Sequence, residues 1–213
     1  MITTQYTTEQ STMIQGPAGQ LELIVKESDN PESKVWAIIC HPHPMFGGTM
    51  HNKIVTTIAK TFQGMGANTV RFNFRGVMRS EGAFDQGKGE LDDLLAVIDW
   101  VRDLSPHQEI WLGGFSFGGF IAATAATKVD AKRLVTVAPP VKNFPMDDLP
   151  PILCRWVLAQ GELDDVVPPQ AVLDWAESRV PKPVILRFPE AGHYFHGLLG
   201  ELRTRLTDAL GPV

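Results

Sequence analysis

The chain has 213 residues, 44% of them hydrophobic and 20% charged. That is enough to bury one ordinary core and short for two, and nothing in it resembles a collagenous, coiled-coil or disordered chain. A formal net charge of -5 supplies no basic stripe for backbone phosphates, which argues against nucleic acid as a partner.

Met1 to Thr12 is polar and lacks the basic start and apolar core of a secretion signal. Every apolar run stops well short of the roughly 20 residues a bilayer span needs. The expectation is a cytoplasmic protein of one domain, residues 1–213, with no membrane partner. Its two cysteines, Cys40 and Cys154, lie in or beside apolar runs and read as unpaired core thiols.

Taken in chain order, Leu21 to Lys26 alternates apolar and polar residues, the pattern of an antiparallel edge strand with one wet face. Short Val/Ile/Leu-rich runs then alternate with stretches of helical period. Val35 to Cys40, Thr69 to Phe74, Glu109 to Gly113, Leu134 to Ala138, Leu153 to Gln160 and Val184 to Phe188 read as strands. Between them, Ile54, Ile58, Ala59 and Phe62 form one apolar helical stripe, and Leu91, Leu94, Leu95, Ile98 and Val101 another. Phe120 to Ala126 is apolar almost all round and predicts the most buried helix. Pro168 and Pro169 open the next helix, where a missing N–H costs little, and Leu198, Leu199, Leu202, Leu206 and Leu210 mark the last. Alternation of this kind predicts an α/β fold with a mostly parallel sheet.

The sharpest chemical signal is Gly114-Phe115-Ser116-Phe117-Gly118, a G-x-S-x-G between a strand and an apolar helix. A chain that turns abruptly from strand into helix approaches itself closely, and glycine has no Cβ to clash. The turn lifts the Ser116 hydroxyl above the sheet and leaves the Phe117 N–H at a helix N-terminus, where it can hold a developing oxyanion. A serine hydroxyl needs a base to become a nucleophile. His193 follows the strand Val184 to Phe188, and the adjacent carboxylates Asp164 and Asp165 follow the strand ending at Gln160. The order Ser, Asp, His suits an α/β-hydrolase. His193 is the expected base and then acid, Asp164 the carboxylate that orients it, and Asp165 a solvated charge or loop cap.

The sequence resembles the α/β-hydrolase superfamily, and more closely the small bacterial hydrolases related to dienelactone hydrolases and esterases. The features that carry the likeness span nearly the whole chain: His41-Pro42-His43-Pro44 with Gly47-Gly48-Thr49-Met50, Arg71-Phe72-Asn73-Phe74-Arg75-Gly76, Gly114 to Gly119, Gly161 with Asp164, and Ala191-Gly192-His193. The resemblance implies an eight-stranded sheet with helices on both faces and a Ser-His-Asp triad of Ser116, His193 and Asp164. It also implies an oxyanion hole completed by a backbone N–H from the loop after the third strand. The matching donor is His43; Pro44 has no N–H, and Gly47 is a second candidate. Met78 stands where related sequences carry a small residue, which bears on the pocket wall. Only Pro139 to Ile152 is available between the sixth and seventh strands, too few residues for a cap domain, so the site is expected open or covered by a short loop bearing Phe144 and Met146.

The implied reaction is cleavage of small carboxylic esters, with lactones and thioesters behind them, through an acyl-enzyme. It needs a small-molecule acyl substrate, no cofactor and no metal. Metal ligation by His41, His43, His51, His193 and His196 is a competing reading that the interleaved prolines and the lack of nearby carboxylates disfavour; His41 reads better as a strand-end residue whose ring orders its loop. A second competitor is a binding or regulatory protein on a hydrolase scaffold, since fold alone does not prove function. Arg71, Arg75 and Arg79 either receive an anionic substrate group or, more commonly for such a run, pair with neighbours such as Glu81 and Asp85. Phe46, Phe115, Phe117, Met78 and Tyr194 either line an apolar acyl site or pack the core. A homodimer is compatible with these residues, but the oligomeric state is not legible in them.

Overall fold

The computed structural model describes residues 8–104 and 107–212. Residues 1–7, part of the segment read for a secretion signal, lie outside the described residues.

Among the described residues, eight strands form a single sheet: β1 (Gln10–Gly16), β2 (Gly19–Lys26), β3 (Val35–Cys40), β4 (Asn68–Phe72), β5 (Glu109–Phe115), β6 (Ala131–Val137), β7 (Arg155–Gly161) and β8 (Val184–Phe188). Their spatial order is β1-β2-β4-β3-β5-β6-β7-β8. The β1/β2 and β2/β4 pairs are antiparallel, and every pair from β4 onward is parallel.

Among the same residues five α-helices cover the sheet: α1 (Lys53–Gly64), α2 (Lys88–Leu104), α3 (Phe117–Ala126), α4 (Pro169–Glu177) and α5 (Leu199–Leu210). Side chains of a strand point alternately to its two faces, and the central strands are apolar on both. In β3, Trp36, Ile38 and Cys40 join the core under α2, α3 and α4, whereas Ala37 and Ile39 join the core under α1 and α5. Double-sided burial explains why these strands read as continuous apolar runs. It also explains α3: nearly all of its residues are buried, because the helix is wedged between the sheet and α2.

One strand differs from its expected place. Leu21 to Lys26 is antiparallel, but it is not the edge, because β1 pairs with β2 along its whole length. Glu22, on the polar side of the alternation, is buried, and its carboxylate accepts from Asn73 Nδ2 at 2.9 Å. β1 carried little signal, with Met13 and Ile14 its only large apolar residues.

β4 also ends earlier than expected: the Asn73 N–H still donates to the Glu22 carbonyl of β2, but the Phe74 N–H turns away to the ring of His41. Each parallel strand delivers the loop that follows it to one edge of the sheet, where open α/β folds hold their ligands. Ser116, Asp164 and His193 all lie on that edge, after β5, β7 and β8.

Candidate active site

Ser116 sits between β5 and α3 with φ 52° and ψ −120°, a left-handed conformation that costs a non-glycine residue about 1–3 kcal/mol. The neighbours impose it. A Cβ on Gly114 would lie 2.0 Å from the Gly118 carbonyl oxygen, and one on Gly118 would lie 2.4 Å from that of Cys40. Two bare glycines thus let β5 fold directly into α3, and let the start of α3 rest against the end of β3. The Ser116 N–H is held by the Val137 carbonyl at 2.8 Å, and its own carbonyl accepts from Gly119 at 2.8 Å. Its side chain does not cap the helix it precedes.

The loops that carry Asp164 and His193 are laced together by their main chains. Glu162 N–H donates to Phe188, and Leu163 N–H to Ala191; a Cβ on Gly161 would stand 2.3 Å from the Ala191 carbonyl oxygen. This brings Asp164 and His193 into contact, the His193 Nδ1–H donating to Asp164 Oδ2 at 2.8 Å, with both side chains buried. Asp164 Oδ1 accepts from the Val166 and Val167 N–H groups at 2.9 and 2.8 Å, and Oδ2 from Gln160 Nε2 at 3.2 Å. Burial opposes the charged form of Asp164, but the hydrogen bonds from His193 and the two amides outweigh it and hold the carboxyl below its ordinary range. An ionised Asp164 fixes the His193 tautomer with Nε2 unprotonated. Asp165, the adjacent carboxylate, is exposed. The His193 ring lies 4.9 Å from that of Phe115, the residue before Ser116.

On the other side, the loop after β3 carries His41 and His43. His41 is fully buried, its Nδ1–H donating to the Pro42 carbonyl at 2.6 Å and its Nε2 accepting from the Phe74 N–H at 3.0 Å. Only the neutral ring can do both, and burial pushes its pKa down to about 4. With both nitrogens engaged it has none left for a metal, and it ties the loop to the end of β4.

His43 opens a short 3₁₀ turn over Pro44–Phe46, where its Nδ1 accepts from Met45 N–H and its carbonyl accepts from Phe46 and Gly48. The His43 N–H takes no part in these bonds. Gly47 N–H is already given to the Pro44 carbonyl, which weakens it as the second candidate donor. Phe117 is the first residue of α3, so its N–H has no acceptor within the helix. Its ring stands 5.2 Å from that of His43. The two expected oxyanion donors therefore belong to segments that touch.

A family model for the alpha/beta hydrolase fold matches residues 38–154. The chain belongs to the α/β-hydrolase fold family. It is similar in structure to an alpha-beta serine hydrolase homologue from Coxiella burnetii, with 44% identity, 95% of this chain and 97% of that one covered, and a TM-score of 0.90. A Xanthomonas campestris serine hydrolase described as having no lid aligns at 40% identity, over 96% of this chain and 94% of that one, with a TM-score of 0.90. An uncharacterised protein of Rickettsia prowazekii is 34% identical over 164 residues, 75% of this chain and 68% of that protein.

Among the described residues of this α/β-hydrolase fold there is no cap domain: the segment between β6 and β7 folds inward. Met146 is fully buried, and Phe144 stacks on Phe120 at 4.9 Å and lies 5.1 Å from Phe117. Phe115 and Phe117 belong to the core, whereas Phe46, Met78 and Tyr194 are exposed.

The arginine run does make ion pairs, but not with the neighbours expected. Arg71 donates to Glu9 and to the Met50 carbonyl, Arg75 grips Asp93 with two nitrogens, and Arg79 faces Glu22 at 3.9 Å. Glu81 accepts instead from the Gln20 N–H, and Asp85 from the Gly89 N–H. Gln160 was missed as a support of Asp164; a polar residue closing an otherwise apolar strand was its only signal.

Proposed function

We propose that the chain is a serine hydrolase that cleaves small carboxylic esters through an acyl-enzyme. Ser116 is the nucleophile, His193 the base and Asp164 its orienting carboxylate. The observation that carries this reading is the 2.8 Å hydrogen bond between His193 and Asp164, on the sheet edge where Ser116 is held at φ 52°. Similarity to the two bacterial serine hydrolases supports it.

In this mechanism His193 Nε2 takes the Ser116 proton as Oγ attacks the ester carbonyl. The Phe117 and His43 N–H groups receive the oxyanion, worth about a hundred- to a thousandfold in turnover per donor. His193 then gives its proton to the departing alcohol. A water deprotonated by the same imidazole attacks the acyl-enzyme and frees the acid, and the proton returns to Ser116. Asp164 stays ionised and stabilises the imidazolium. No cofactor or metal enters these steps.

Among the described residues no helix is long and apolar enough to cross a membrane. The reading keeps a cytoplasmic protein acting on small acyl substrates, without nucleic acid or membrane partners. Labelling with a fluorophosphonate probe is the test: wild type is labelled and Ser116→Ala is not. A wild type that resists the probe would favour a non-catalytic protein on the same scaffold.

A further inference from the structure

Among the described residues, ten large hydrophobic side chains are exposed, and they are unevenly distributed. Six of them, Met45, Phe46, Met78, Leu163, Val166 and Tyr194, belong to the loops after β3, β4, β7 and β8. Those loops leave the same edge of the sheet as the turn that carries Ser116. The other four, Leu104, Leu153, Val180 and Val184, lie at or near the opposite ends of the strands.

Two of the six stand directly on the machinery. Phe46 is 85% exposed, with its ring 4.8 Å from that of His43. Tyr194 is 49% exposed and meets His193 edge to face, with centroids 5.1 Å apart and an interplanar angle of 87°. One aromatic thus flanks the oxyanion side of the nucleophile and the other its acid–base side. The segment in the place of a lid does not shelter them, because Met146 and Phe144 turn into the protein.

Clustered apolar surface of this kind usually marks a binding site. We propose that Phe46 and Tyr194, with Met45 and Leu163 beside them, form an open apolar shelf that selects esters with an extended hydrophobic acyl group over short or charged ones. The occupant is the substrate rather than another protein, because the exposed side chains gather around the nucleophile and touch the residues that would act on the ester. This inference rests on the hydrolase reading and names the substrate class of the same site. An exposed shelf desolvates a methylene only in part, so each added CH2 is expected to raise kcat/KM by about two- to fourfold and to act through KM.

The test compares p-nitrophenyl acetate, butyrate and octanoate on wild type, Phe46→Ser, Tyr194→Ser and Leu153→Ser. Wild type should prefer the longer chains. Phe46→Ser and Tyr194→Ser should flatten that slope through KM, each variant being compared across chain lengths with its own acetate rate as reference. Leu153→Ser, exposed at the far end, should behave as wild type. Normal labelling with no chain-length preference in wild type, or a slope unchanged in both rim variants, would overturn the shelf alone. A change in sedimentation coefficient in Phe46→Ser without ester would also overturn it, assigning the patch to a contact between copies of the chain. Loss of labelling in wild type would instead remove the hydrolase reading on which the shelf rests.

Discussion

The two flanks of Ser116 are held by different physics. On the acid–base flank, an ionised carboxylate is satisfied by two amides, a glutamine and an imidazole, within loops laced by main-chain bonds. The oxyanion flank has no charge at its centre. A neutral buried imidazole ties the loop after β3 to the end of β4, and around His43 the rings of Phe46, Phe84 and Phe117 lie within 4.8 to 5.2 Å. In the proposed mechanism the first flank stabilises a proton on His193, and the second presents amide donors among neutral rings. The proposed mechanism thus has the ionised group beside the imidazole that takes up the proton, and neutral groups beside the proposed oxyanion donors.

Substitutions can separate the two flanks. The largest effect is expected on the charged side: Asp164→Asn keeps the shape but permits the wrong tautomer of His193, and kcat should fall by about 10⁴-fold, measured by stopped-time assays on a p-nitrophenyl ester. On the other flank, Gly118→Ala places a Cβ 2.4 Å from the Cys40 carbonyl oxygen and must push α3 away from the His41–Gly48 loop. The expected cost is about a hundredfold in kcat, the scale of one misplaced oxyanion donor, with the Asp164–His193 pair intact. If Gly118→Ala turned over ester as wild type does, the contact between these segments would have no part in catalysis.

Acid should distinguish the flanks by stability. Folded His41 binds a proton only near pH 4, whereas the unfolded chain binds it near 6.5. Above 6.5 both states are neutral, so this group is indifferent to pH. Between 6.5 and 4 the unfolded state holds more protons, and stability falls as pH drops, by about 3 kcal/mol in all. Asp164 acts later in the same direction. Its folded pKa is depressed, so its contribution is present above the ordinary carboxylate range and is lost as pH falls through the folded value. Urea midpoints across this range should show the first slope in wild type and not in His41→Gln, which lacks the imidazole. An equal slope in both proteins would remove His41 as its source.

The sequence was most legible where local rules decide structure. The G-x-S-x-G turn, the five helices and the six parallel-sheet strands follow from glycine sterics and from apolar period, and they appear close to where those rules put them. It was least legible where a residue's partner lies far along the chain. β1 has almost no apolar pattern and exists because β2 offers it a full ladder. Arg71 and Arg75 pair with Glu9 and Asp93, 62 and 18 residues away, rather than with the nearer acids Glu81 and Asp85. In the candidate site, the contact between Asp164 and His193 agrees with their places in the loops after β7 and β8, whereas the Gln160 contact and the two hydrogen bonds of His41, with Pro42 and Phe74, depend on the fold closing around them.

The most direct measurement is peptide mapping by mass spectrometry after an acid quench of wild type reacting with p-nitrophenyl butyrate. A butyryl group carried by Ser116, formed in a burst of one p-nitrophenol per chain, is the predicted result. Steady ester cleavage with the acyl group on another residue, or undiminished cleavage by Ser116→Ala, would contradict the account.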